Sequence, residues 1–204
     1  TPFKFDGKDP VQKYTVKGYF GPVFKTKAAS DEGGILTART LQDRDILSEA
    51  KCIFYPITEP YLPYALYLDA VQYGIAENID FHHIVKSLVK TLDGRTLILV
   101  DRISHGDILN YLIPNSLWVQ GKDDLDSRKY VINQLQKSKK KVVGIATQQI
   151  FNTGINLFIH NLINAAGGKA EHQITQRVGR GLRPADYKDL LKYYDFLFKN
   201  NEYL

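Results

Sequence analysis

The sequence predicts an α/β fold: a parallel sheet with helices on both faces. Three observations carry that expectation. From about Ile53 onward, short apolar runs alternate with segments of helical periodicity. The run Thr96–Val100 (TLILV) is apolar without alternation, as in a strand buried on both faces. Strands and helices alternating at this spacing imply βαβ units.

The elements follow in order. Residues 1–38 differ from the rest, being rich in Gly, Lys and aromatics such as Phe3, Phe5, Tyr14, Tyr19, Phe20 and Phe24. Strand-like patches around Tyr14–Tyr19 and Val23–Thr26 alternate with turns at Asp6-Gly7 and Gly21-Pro22. This stretch reads as the tail of another unit, with the main domain over 39–204. Tyr61–Tyr73 and Ile79–Leu92 have helical spacing, and Asp80 stands near the start of the second. After the strand Thr96–Val100 come a helix at Ile103–Leu112, a short strand at Ser116–Val119 and a helix at Asp126–Gln136. Val142–Ala146 and Leu162–Ala165 read as strands, Glu171–Val178 as a helix and Leu190–Phe196 as a final strand. In such sheets ligands sit at the carboxyl ends of the strands.

Composition narrows the function classes. Of the 204 residues, 44% are apolar and 24% charged, enough for a core under a polar surface. No apolar run approaches the length that spans a bilayer, and no segment resembles a secretory signal. A single cysteine, Cys52, excludes an internal disulfide, argues against structural zinc and fits an intracellular protein. His82, His83, His105, His160 and His172 form no ligand pattern, so helix surface or cap is the ordinary reading of each and no metal site is expected. The net charge of +5 is compatible with a phosphate-rich partner. The chain begins Thr1-Pro2 and contains no Met, so it is expected to be a piece of a longer protein.

The motif with most chemical content is Gln176-Arg177-Val178-Gly179-Arg180-Gly181-Leu182-Arg183. On a helix, Gln176, Arg180 and Arg183 fall at spacings of four and three and share a face. Guanidinium forks match phosphate oxygens, so the three can clamp a transferring γ-phosphoryl group. A solvated basic helix end fits the same residues. Upstream, a strand ends at Thr147, and Thr153-Gly154-Ile155-Asn156 follows. A hydroxyl and free N–H groups at a strand end suit a phosphodiester, and Asn156 can reach a ribose hydroxyl.

Thr147…Thr153-Gly154-Ile155-Asn156, followed by Gln176…Gly179-Arg180…Arg183, resembles motifs V and VI of superfamily 2 helicases. Thr96–Ile108 resembles motif IV. Trp118-Val119-Gln120-Gly121, with Arg128 after it, resembles motif IVa. Thr1-Pro2 resembles the end of motif III, and Tyr19–Val23 the segment that closes the first RecA-like domain. The subgroup most similar is the UvsW-like, branched-DNA helicases of phage and mitochondrial type. The resemblance implies that 39–204 is a second RecA-like domain and 1–38 the remnant of a first. It implies ATP hydrolysis with Mg2+ in a cleft against that upstream domain, and a nucleic-acid partner, DNA rather than RNA. Arg183 would be the arginine finger and Arg180 a second γ-phosphate contact. Gln176 would lie near the phosphate or attacking water, with Gly154, Asn156 and Gly179 at the nucleotide. Asn156 stands where the family often has Asp. Asp101, Arg102, Ser104, His105, Thr147 and Gln148 would touch the nucleic-acid backbone.

A Walker A loop is missing. Gly167-Gly168-Lys169 is followed by Ala170 where Ser or Thr is required. The resemblance assigns that loop and the magnesium site to the upstream domain. A restriction-system motor would carry the same motifs; a non-catalytic nucleic-acid-binding or annealing module would lack nucleic-acid-stimulated ATPase. Lys137–Lys141 (KSKKK) reads first as a solvated helix end. Trp118 reads as a half-buried strand residue rather than a base-stacking platform, and Tyr193, Tyr194, Phe196 and Phe198 as strand residues closing the core.

Overall fold

The computed structural model describes residues 48–63, 65–151, 158–167 and 190–204. The described elements are β1 (Glu49–Ile57), α1 (Tyr67–Val71), a π-helical turn (Gln72–Ala76), α2 (Ile79–Thr91), β2 (Arg95–Val100), α3 (Ile103–Leu112), β3 (Leu117–Val119), α4 (Leu125–Lys137), β4 (Val142–Thr147), α5 (Gln148–Phe151), β5 (Asn161–Asn164) and β6 (Leu190–Phe198). The strands form one sheet in the order β1-β6-β5-β2-β4-β3, and every pairing is parallel.

All six residues of β2 are buried, because its neighbours cover its edges and helices cover both faces. Alternate residues feed two cores. Ile98 and Val100 pack with Phe81, Val85 and Val89 of α2, Leu109 of α3, and Tyr194, Phe196 and Phe198 of β6. Leu97 and Leu99 pack on the other face with Val131 and Leu135 of α4, and with Leu191 and Tyr193 of β6. The layered α/β arrangement expected from the sequence is therefore present, and β6 lies inside the sheet between β1 and β5.

Two segments differ from the sequence expectation. Tyr61–Tyr73 is not one helix. Pro60 and Pro63 remove amide donors, and helix begins only at Tyr67 before passing into the π-helical turn. Residues 49–57, unassigned from sequence, form the edge strand β1. Most of its side chains are exposed on both faces, so it lacks the alternation that identifies a half-buried strand. The helix expected at Glu171–Val178 lies outside the described residues.

Candidate nucleic-acid interface at the carboxyl ends of the strands

Parallel pairing brings the strand ends to one edge. Val100, last in β2, is level with Thr147, last in β4; Val119, last in β3, is level with Ala146; and Asn164, last in β5, is level with Leu99. Asp101, Thr147, Gln148 and Gln120 therefore emerge side by side, although as many as 47 positions separate them in the chain.

The expected loop Asp101–His105 is shorter than its motif. Asp101 and Arg102 form the connection, and α3 starts at Ile103. Arg102 has extended backbone (φ −103°, ψ 144°) and caps the helix with no side-chain hydrogen bond. It is half-buried, and its Nε has no hydrogen-bond partner. Ser104 is exposed on the first turn of α3, where unpaired amides favour an anion. Thr147 is 7% exposed, so its backbone is better placed than its hydroxyl for a phosphate oxygen. Gln148 is half-exposed.

His105 does not join this surface. It is 1% exposed and packs on His82 of α2, with ring centroids 4.9 Å apart, and on Phe81 at 5.8 Å. His82 is equally buried, which corrects the helix-surface reading for both. Nε2 of His105 has no hydrogen-bond partner, and the His82 ring nitrogens meet only loose backbone contacts from Ala76 and Ile75. Burial first, and the neighbouring His82 second, push the His105 imidazole down to about 3. Burial likewise lowers His82. Both rings are neutral fillers between α2 and α3.

Sequence reasoning placed Gln120 and Arg128 in a motif but not their contacts, and it missed Asp195. Gln120 is buried, with its amide nitrogen held by Asp123 Oδ2 at 2.8 Å and its Oε1 unpartnered. Arg128 reaches the carbonyl of Gly121, closing the loop after β3. Asp195 is a buried carboxylate in β6. It accepts from Asn164 Nδ2 at 2.8 Å, Tyr193 Oη at 3.0 Å and the Phe196 amide at 2.9 Å. A lone Asp inside the apolar run LLKYYDFLF was the available signal. Trp118 is half-buried as expected, with its indole N–H on Asp107 Oδ1 at 2.9 Å and its ring against Gly106.

Gln176, Gly179, Arg180, Arg183, Gly154 and Asn156 lie outside the described residues. Among the described residues no group of three His, Cys, Asp or Glu gathers as a metal site. None of the described helices is long and apolar enough to cross a membrane.

The parallel sheet, its strand order and the edge just described define a class: the chain has the fold of a RecA-like C-terminal domain of superfamily 2 helicases. No protein-family model matches it. It is similar to the ATP-dependent DNA helicase UvsW of Enterobacteria phage T4, at 23% identity over 203 residues, covering 94% of this chain. The chain spans 38% of that relative's length. The crystal structure of T4 UvsW matches with a TM-score of 0.57 at 21% identity, over 74% of this chain and 33% of that one. A fragment of a putative HsdR subunit of a type I restriction enzyme from Vibrio vulnificus matches with a TM-score of 0.68 at 17% identity, over 91% of this chain and 37% of that one.

Proposed function

We propose that this chain is the C-terminal motor half of an ATP-dependent helicase or translocase acting on DNA. The observation that supports it most is the juxtaposition of the loops after β2 and β4 at the carboxyl edge of a RecA-like sheet. Motif-like Gln176…Arg180…Arg183 lies downstream of that edge in sequence. Residues 1–38 are the end of the first RecA-like domain, and 39–204 are the second.

In this reading the upstream domain holds most of the nucleotide. The cleft closes on ATP and brings Arg183 and Arg180 to the γ-phosphate, where charge spreads in the transition state. Gln176 orients the attacking water, Gly154 and Gly179 admit the nucleotide closely, and Asn156 reaches the ribose. Arg102, Ser104, Gln148 and the backbone at Thr147 hold phosphates of the track, while His105 supports α3 from behind. Mg2+ would be held by the upstream domain, where it would neutralise charge on the phosphates.

Steady-state kinetics on the intact protein tests this. A group that acts only in the closed cleft affects turnover more than binding. Arg183→Ala is expected to lower kcat about a hundredfold while KM moves a few-fold. Arg183→Lys is not expected to rescue, because an ammonium lacks the planar fork. Near-normal kcat in Arg183→Ala would remove the reading. A restriction-enzyme motor is the second reading, favoured by the HsdR likeness. Nuclease or methylase sequence flanking this chain in its gene would decide for it.

A further inference from the structure

Asp195 is a buried carboxylate that the proposed mechanism leaves unused. Strand alternation puts it on the same face of β6 as Leu191 and Tyr193, in the core that also holds Leu97, Leu99 and Leu162. An apolar side chain would join that core without taking a polar group out of water. Replacing a hydrogen-bonded pair by apolar groups of the same shape is often neutral or stabilising, so stability alone does not call for Asp195 and its partner Asn164. What a fully satisfied buried pair supplies is a single arrangement of the elements that carry it.

The two residues fix a register. β6 is paired with β1 along its whole length, from Glu49↔Leu190 to Ile57↔Phe198. Its pairing with β5 is short: Asn161↔Lys192, Leu162↔Tyr193 and Ile163↔Tyr194. The next rung would join Asn164 to Asp195, and there the side chains meet, Asn164 Nδ2 donating to Asp195 Oδ1 at 2.8 Å. Asp195 is itself held, by the Phe196 amide on Oδ1 at 2.9 Å and by Tyr193 Oη on Oδ2 at 3.0 Å. On the other side of β5, the Ala165 amide donates to the Leu99 carbonyl at 2.9 Å. The carboxyl end of β5 is thus pinned to β2 by backbone and to β6 by a side chain. Asn164 is fully buried, so water does not compete for the bond. A slip of one residue would set Ile163 or Ala165 against Asp195 and turn β5 over, face for face.

The clamp stands where the proposed chemistry depends on it. Asn164 ends β5 at the carboxyl edge, level with Leu99, beside the strand ends of the candidate interface. The chain passes from there into residues 168–189 before β6, and Gln176, Arg180 and Arg183 belong to that stretch in sequence. A group that meets a phosphoryl oxygen in a closed cleft tolerates little displacement: about 1 Å costs up to about a hundredfold in rate. β5 has only four residues, short for a strand from which such a group departs. We propose that Asn164 and Asp195 are positioning residues for ATP turnover: their hydrogen bond fixes the register of β5 on β6, and with it the point from which the Gln176…Arg183 stretch leaves the sheet. The proposal rests on the motor reading above, and neither residue touches substrate.

The test is steady-state ATPase kinetics and DNA binding on the intact protein, well below its thermal midpoint. Asn164→Leu removes the donor and fills the same space among apolar neighbours, while Asp195 keeps its bonds to Tyr193 and Phe196. It is expected to lower kcat about tenfold, with KM for ATP and single-strand affinity unchanged. Asp195→Asn keeps an acceptor for Asn164 and is expected to stay within about threefold of wild type. Adding Asn164→Leu to Arg183→Ala is expected to cost little further, because a residue that acts through Arg183 then has nothing left to position. Wild-type kcat in Asn164→Leu, a loss matched in KM or in DNA binding, an equal loss in Asp195→Asn, or additive losses in the double variant would each overturn the proposal. Should Asn164→Leu not fold, Asn164→Ser shortens the donor out of reach with a smaller change, and the same outcomes apply. Arg183→Ala with near-normal kcat would sink the motor reading and this proposal with it. Loss in Arg183→Ala beside normal kcat in Asn164→Leu would sink the proposal alone.

Discussion

At the scale of single residues, the buried histidines make the sharpest claim. An imidazole ordinarily titrates near 6.5; burial pushes His105 down to about 3, and His82 is lowered too. Between those values the unfolded chain binds a proton that the folded chain refuses. Stability is therefore complete above about pH 6.5 and is lost as pH falls toward 3, by up to about 1.4 kcal/mol per pH unit for His105. Urea midpoints at pH 7 and pH 5 should show that fall in the wild type and a shallower one in His105→Leu. Parallel falls would mean that the pair does not titrate in this way. Gly106 makes a second claim. A Cβ there would stand 2.1 Å from Trp118 Cη2 and 2.4 Å from its Cζ2. A rigid indole anchored by Asp107 cannot yield cheaply, so Gly106→Ala is expected to cost about 1–3 kcal/mol by overpacking. A thermal midpoint within one degree of wild type would contradict the contact. The helical spacing of Ile103–Leu112 was readable in the sequence, but the inward turn of His105 was not. Which side of a helix faces inward depends on what α2 and β6 place beside it.

At the scale of elements, α2 depends on its cap. Asn78 Oδ1 accepts from the Phe81 amide at 3.0 Å, and its Nδ2 donates to the carbonyls of Glu59 at 2.7 Å and Gly74 at 3.0 Å. One buried side chain thus starts α2 and holds the two segments before it. Asn78→Ala should cost about 2–3 kcal/mol, the sum of a lost cap and stranded buried carbonyls. Asn78→Asp should recover only the cap, since a carboxylate cannot donate to either carbonyl. Chemical denaturation of the three proteins separates the two parts; equal loss in both variants would show that the cap contributes nothing. Periodicity located α2 to within a residue, while Asp80 drew attention away from Asn78, whose role depends on residues 19 positions upstream. The strand β1 was invisible for the opposite reason: an exposed edge strand carries no burial pattern to read.

At the scale of the whole molecule, the sequence carries the Arg-rich motif without a Walker A loop. Purified as these 204 residues, the chain is expected to show no ATP turnover above background. It should bind single-stranded DNA weakly and without sequence preference, and salt should weaken that binding. Turnover by the isolated chain that Arg183→Ala abolishes would contradict the first expectation. Tight binding indifferent to salt would contradict the second.

By itself the sequence determined the layered α/β class, the apolar central strand Thr96–Val100, and a motif set that resembles superfamily 2 helicases. Those properties live in local periodicity and in short spacings, which survive without tertiary information. Only the tertiary structure decided the strand order, because parallel strands pair across long crossovers that no local pattern encodes. It decided that Asp101 and Gln148 stand side by side, that the His105 ring turns inward onto His82, and that Asp195 is a buried acceptor for three donors.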